Sequence, residues 1–295
     1  MAVKSVQAII NGQTYTLTLN SGTGRYEATI TAPATSSYPQ SGHYYPVTVK
    51  ATDNANNVTE VDDTDETLGT SLRLQVKEKV APVIVITSPT SGQLTSSNRP
   101  QITFEVTDND SGVNQGSIKL QIDNQQVSGV SSSAIEDGYS CSYTPDTALD
   151  DGEHTITVNA SDNDGNAATP VSITFRVLAT APDLSITAPA NNSYHKAAAV
   201  AFSGTTNAES LTVQVGSGSA QSVPISGGTF SGTLTLTAEG ANTVKFVATS
   251  ESGVETTVTR TLYLDTHAPV IQSVTITPNP VDAGATYVIS VEVTD

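Results

Sequence analysis

The sequence predicts an all-β chain of tandem β-sandwiches, with one sandwich split between the N- and C-terminal ends. Three observations carry that expectation. Apolar residues recur at every second position in short runs, and no stretch shows the 3.6-residue period of an amphipathic helix. Three Ala-Pro linkers, Val80-Ala-Pro82, Thr180-Ala-Pro182 and His267-Ala-Pro269, punctuate the chain at spacings of 100 and 87 residues. The two ends depart from the repeat in opposite ways: the first segment starts in mid-unit, and the last stops after two strands.

Each linker leads into an extended run that ends at a proline turn: Ile86-Thr-Ser-Pro89, Ile186-Thr-Ala-Pro189 and Ile276-Thr-Pro-Asn-Pro280. Proline fixes φ and has no N–H to give to a ladder, so these runs suit a first, edge strand, A. Strand B follows. Gln101-Ile-Thr-Phe-Glu-Val-Thr-Asp108 turns Ile102, Phe104 and Val106 to one face, and Val288-Ile-Ser-Val-Glu-Val-Thr-Asp295 does the same with Ile289, Val291 and Val293. Ala199-Val-Ala-Phe-Ser203 is a weaker copy.

Strand C is expected at 117–124 and 210–216, and its pattern also stands at the N-terminus in Ser5-Val-Gln-Ala-Ile-Ile-Asn-Gly12. Strand F follows Asp150-Asp-Gly-Glu-His-Thr-Ile-Thr-Val-Asn-Ala-Ser-Asp162, matched by residues 41–53 and 240–250, and strand G is expected at 71–77, 171–178 and 257–264. The expected domains are therefore 1–80, lacking its first two strands; 81–179; 180–267; and 268–295, holding two strands only.

Together the Ala-Pro linker, the Val-Thr-Asp end of strand B and the Asp-Gly-x-His-x-Ile-x-Val approach to strand F resemble bacterial immunoglobulin-like (Big-type) domains, strung in tandem on surface adhesins and on phage tail and capsid proteins. The resemblance covers essentially the whole chain and speaks to fold far more than to function. There is no Trp and only one cysteine, so the antibody hallmarks are missing. Tyr45, His154 and Asn242 share one slot before strand F; it resembles the tyrosine corner, although only the first unit keeps Tyr there.

A formal net charge of −17 argues against nucleic-acid binding through a basic surface and suits cations. Cys141 alternates with Tyr139 and Tyr143 and reads as a small buried residue without a basic neighbour to activate it. Neither a long apolar span nor an apolar leader is visible. The chain is therefore expected outside the cell, on a cell surface or virion, and not membrane-spanning: a virion component released by lysis, or a chain whose leader has been removed. His43, His154, His195 and His267 show no metal spacing, and no nucleophile elbow or phosphate loop occurs, so no catalytic residue and no organic cofactor is expected. The sequons at Asn57, Asn159 and Asn191 are expected by chance in a chain so rich in Ser and Thr.

Two candidate sites remain. Asp108 and Asp110 in the B–C loop, with Asp162 and Asp164 in the F–G turn, would gather at the end where the linker residue Glu78 enters, and could hold Ca²⁺. Asp-Asn-Asp-Gly is equally good turn chemistry, and the third unit has Ser250-Glu-Ser-Gly253 instead and should not bind. The second candidate is an assembly interface. Without strands A and B, Val6, Ile10, Val47 and Val49 would be partly uncovered, and the lone terminal strands would expose Val274, Ile276, Ile289, Val291 and Val293.

Pairing the halves within one chain would bend two domains, each roughly 33 Å long at about 3.3 Å per residue, back on themselves. The expected partner is therefore the next copy, head to tail. The chain is thus expected to be a non-enzymatic, structural or adhesive rod that assembles as a fibre subunit. The alternatives are a phage tail or capsid decoration or host-surface adhesion module whose ends are completed by another virion or cell-surface protein, or ends that are simply truncated. Tyr38, Tyr44 and Tyr45 cluster before the first strand F; one should fill the corner, and the others could meet a partner or glycan.

Overall fold

In the computed structural model, which describes residues 2–295, the chain forms strands joined by turns and three short 3₁₀ segments, with no α-helix among the described residues. It divides into two compact units, Met1–Val177 and Leu178–Asp295.

The first unit opens with a single sheet. β1 (Val3–Ile10), β2 (Gln13–Asn20), β3 (Arg25–Glu27), β4 (Tyr45–Asp53) and β5 (Val58–Val61) lie in the order β3-β2-β1-β4-β5, and β6 (Arg73–Leu74) pairs with the start of β4. Asn11 (φ 46°) and Gly12 (φ 73°) form a tight left-handed turn between β1 and β2, the conformation that fits the twist of a two-residue hairpin. The register Ile10–Val47, Ala8–Val49 and Val6–Ala51 aligns their alternating side chains on one face.

Strand G was expected at 71–77; only 73–74 is strand, and the edge is built in two pieces, β5 and β6. Between them the Asp62 carboxylate accepts the Thr64 N–H (2.9 Å), and the Asp65 carboxylate accepts those of Thr67 (2.9 Å) and Leu68 (2.8 Å). Such local bonds give the backbone an alternative to the ladder.

A two-sheet sandwich follows. β7 (Val83–Ser88), β8 (Leu94–Thr95), β9 (Ile102–Thr107), β10 (Lys119–Ile122), β11 (Gln125–Gln126), β12 (Ser131–Ile135), β13 (Gly138–Tyr143), β14 (Gly152–Asn159) and β15 (Val171–Val177) form sheets β12-β13-β9-β7 and β11-β10-β14-β15-β8. Ile102, Phe104, Val106, Leu120, Ile156, Val158 and Val177 are all 0% exposed between them. Cys141 is buried there too, and burial pushes its thiol pKa up to about 11.

The second unit repeats this plan. β16 (Leu184–Ala188), β17 (Ser193–His195), β18 (Ala199–Thr206), β19 (Ser210–Val215), β20 (Gln221–Val223), β21 (Ile225–Ser226), β22 (Thr229–Thr235), β23 (Gly240–Thr249) and β24 (Glu255–Leu264) make sheets β16-β18-β22-β21 and β17-β24-β23-β19-β20. Their core holds Phe202, Phe230, Phe246 and Leu262. Gly232 is required there: a Cβ on it would sit 2.5 Å from the Phe202 ring. A separate two-stranded sheet, β25 (Val270–Thr277) with β26 (Val288–Thr294), closes the unit.

Candidate functional site

The acidic candidate lies where the linker enters the second sandwich. Asp108 follows strand β9, and its carboxylate accepts the backbone N–H groups of Gly112 (2.8 Å) and Asp110 (3.2 Å). Asp162 follows β14 and accepts the Asn166 backbone N–H (2.7 Å) and side-chain amide (2.6 Å). Glu78 reaches in from the linker and accepts the Ser111 N–H (2.8 Å). Oxygens of Glu78, Asp108 and Asp162 lie within 4.8 Å of one another.

Asp108 and Asp162 are 8% and 1% exposed, and the hydroxyl of the buried Ser111 has no hydrogen-bond partner among the described residues. Asp110 and Asp164 do not join the cluster. Asp110 accepts the Ser36 N–H (2.8 Å), and Asp164 accepts the Glu78 N–H (3.0 Å), while its carbonyl accepts Lys77 Nζ (3.2 Å). They fasten the loop before β4 and the linker to the sandwich, so the site has three acids, one of them from the linker. Glu239, Asp265 and His267 also gather, all exposed; Asp265 and His267 are near neighbours in sequence, but Glu239 joins them from the turn before β23, so spacing gave no sign of the cluster.

The slot before strand F is filled by a buried polar side chain in every unit. The Tyr45 hydroxyl donates to the Ser36 carbonyl (3.3 Å) and shares a 2.8 Å bond with Thr35 Oγ1. His154 places Nδ1 2.7 Å from an Asp123 carboxylate oxygen and Nε2 2.8 Å from the Asp150 carbonyl. Asn242 donates to the Ala238 (2.7 Å) and Gly240 (3.0 Å) carbonyls and accepts the Thr237 N–H (3.0 Å). Three chemistries staple the same crossover. Of the neighbouring tyrosines, Tyr44 donates to Asp63 (2.7 Å) beneath the Arg73 guanidinium, and Tyr38 stacks on His43.

The assembly candidates are exposed to different degrees. Val6, paired with Leu17 and Ala51 in mid-sheet, is 8% exposed and already covered, contrary to expectation. Ile10, Val47 and Val49 are half-buried. On the terminal hairpin Val274, Ile276, Ile289, Val291 and Val293 are 55%, 44%, 54%, 50% and 53% exposed. No helix of the described residues is long and apolar enough to cross a membrane.

Residues 82–158 match the bacterial Ig domain family, and residues 182–266 match domain B of glucodextranase. No curated protein matches the chain. Among solved structures it is similar to the fibronectin(III)-like modules of Clostridium thermocellum CbhA, at 14% identity over 62% of this chain and 94% of that one, with a TM-score of 0.34. It is similar to a 1.5-MDa bacterial ice-binding adhesin at 17% identity over 90% of this chain and 88% of that one (TM-score 0.35). It is also similar to protocadherin gammaB7 EC3-6 at 15% identity over 99% and 78% (TM-score 0.33).

Proposed function

We propose, from the premise that this chain is a tandem immunoglobulin-like domain protein, that it is a non-enzymatic structural rod working outside the cell, on a cell surface or virion. Its copies join head to tail, with β25 and β26 of one completing the open first sheet of the next. One observation carries this reading. β26 repeats the residue pattern of β9, yet Ile289, Val291 and Val293 are 54%, 50% and 53% exposed where Ile102, Phe104 and Val106 are 0%.

Fully burying an aliphatic side chain contributes about 1.5–3 kcal/mol, so covering this face and its partner supplies a substantial drive to associate. The contact is heterologous and propagates as a filament, or closes as a ring. The test is light scattering with negative-stain imaging over a concentration series. The chain should form filaments or rings, and the doubly substituted Val291→Asp, Val293→Asp chain should stay monomeric. Monomers from both would sink the reading and point to completing strands from another protein.

The three-acid joint supports a second element of the same rod, a Ca²⁺ that stiffens the linker. Ca²⁺ takes six to eight oxygens, and carboxylates with a free hydroxyl are suitable donors. The observation that favours it is the buried, partnerless hydroxyl of Ser111, the residue whose backbone N–H is held by Glu78 of the three-acid cluster. Millimolar Ca²⁺ should raise the melting temperature, and Glu78→Gln should remove the rise. Identical melting with and without the ion would end this part of the proposal.

A further inference from the structure

Two strand edges in this chain are open, and their residues fit each other. In the second sandwich β9 is paired on both sides, by β7 and β13; in the third, β18 is paired by β16 and β22. β26, the counterpart of β9, pairs only with β25. The counterpart of β13 and β22 in the first sheet is β3, at the end of the order β3-β2-β1-β4-β5 and bonded only to β2.

The alignment of these three strands is fixed by their turns. Asp137, Gly228 and Gly24 all hold a left-handed φ (58°, 76° and 70°), and an aromatic follows two residues later in each: Tyr139, Phe230 and Tyr26. From there the inward positions run Tyr139-Cys141-Tyr143, Phe230-Gly232-Leu234 and Tyr26-Ala28-Ile30. The middle residue is small each time. In the complete sandwiches it faces a phenylalanine: Cys141 pairs with Phe104, and Gly232 with Phe202. The outer pairs are Tyr139–Val106 and Tyr143–Ile102 in one sandwich, and Phe230–Gly204 and Leu234–Val200 in the other. In the first sheet Ala28 is exposed, and Tyr26 and Ile30 are half-buried, with residues 28–35 outside any strand.

We infer that the segment from Arg25 to Ile30 is the edge that receives β26 of a second copy, antiparallel, with Tyr26 opposite Val293, Ala28 opposite Val291 and Ile30 opposite Ile289. The inference rests on the head-to-tail reading above and adds to it the edge and the register. Binding extends β3 from three residues through Ile30 and places Ala28 against Val291 as Cys141 lies against Phe104. Thr29 and Ser290 then face each other on the solvent side, outside the apolar layer.

Cysteine cross-linking tests this on the full chain. Thr29→Cys protein is mixed with Ser290→Cys or with Glu292→Cys protein, oxidised mildly, and read by non-reducing electrophoresis and peptide mass spectrometry. Thr29, Ser290 and Glu292 are exposed, so the substitutions leave the fold intact. Directly opposed strand positions bring their Cβ atoms to about 4.5–5.5 Å and diagonal ones only to about 7–8 Å, against the roughly 3.5–4.5 Å of a disulfide, so the 29–290 bond should exceed the 29–292 bond by about tenfold. A dominant 29–292 bond would overturn the register. Assemblies seen by light scattering without any bond from position 29 would overturn the choice of edge. Either outcome leaves the head-to-tail reading standing; absence of any assembly overturns both.

Discussion

β4 and β14 are the same strand in two surroundings. Val47 and Val49 of the one occupy the positions of Ile156 and Val158 of the other, and both pairs face the preceding strand in one register: Val47–Ile10 and Val49–Ala8 against Ile156–Ile122 and Val158–Leu120. In the complete sandwich Ile156 and Val158 are 0% exposed; in the first sheet Val47 and Val49 are only half-buried. Pairing and register therefore form without an opposing sheet, because hairpin turns and alternation set them. Burial does not, since a sheet face is covered only by a second layer.

The sharpest way to break that comparison is to carry it to the other equivalent pair, β9 and β26, and remove one inward residue from each. Phe104→Ala in β9 should destabilise its sandwich by about 3–5 kcal/mol in denaturant unfolding, the usual result of emptying a filled core position. Val291→Ala in β26 should leave the unfolding of the monomer unchanged, because that residue has no core to lose. Equal losses would mean that the hairpin is already covered.

The staples before strand F come next. Asn242→Ala removes a buried side chain that both donates and accepts, and should cost about 1–3 kcal/mol. Tyr45→Phe removes only a hydroxyl and should cost about 1 kcal/mol, readable as a lowered midpoint. If Tyr45→Phe were the more damaging, the open first sheet would depend on its corner more than a complete sandwich does.

The smallest effect is one of pH and belongs to the second sandwich alone. Burial pulls the pKa of His154 down, but the Asp150 carbonyl and the Asp123 carboxylate outweigh it, and the net shift is upward. A group whose folded-state pKa is raised stabilises the fold while protonated. That contribution is whole below the unfolded value of about 6.5 and is lost as pH rises through the folded one. Asp123 is half-exposed, so solvent screening keeps the effect small. A melting series from pH 5 to 9 should show the second sandwich weakening as the pH rises beyond about 6.5, and His154→Gln should flatten the trend.

Much of the fold was legible in the sequence because alternation reports which face of a strand is apolar, and Ala-Pro marks where a unit begins. The copy of strand B in residues 288–294 could be recognised from Ile289, Val291 and Val293 alone. The hairpin of β2 and β3 was missed, since Tyr26, Ala28 and Ile30 alternate too weakly to stand out and their equivalence rests on a left-handed turn at Gly24. The broken strand G was missed because Asp62 and Asp65 bond their own loop. At the acidic site, spacing found Asp108 and Asp162. It could not show that Asp110 and Asp164 serve main-chain N–H groups of Ser36 and Glu78, which depend on where two distant segments meet.

The short strands β8 and β17 carry a mechanical consequence. Each runs parallel to the last strand of its own sandwich, Leu94 beside Arg176 and Ser193 beside Leu262. Tension applied to the two termini of such a sandwich drags the early strand one way and the late strand the other, along their common axis. The hydrogen bonds between them are then loaded in shear and must give way together rather than one at a time. The first sheet has no parallel pair among its described strands, so it lacks this shear-loaded clamp.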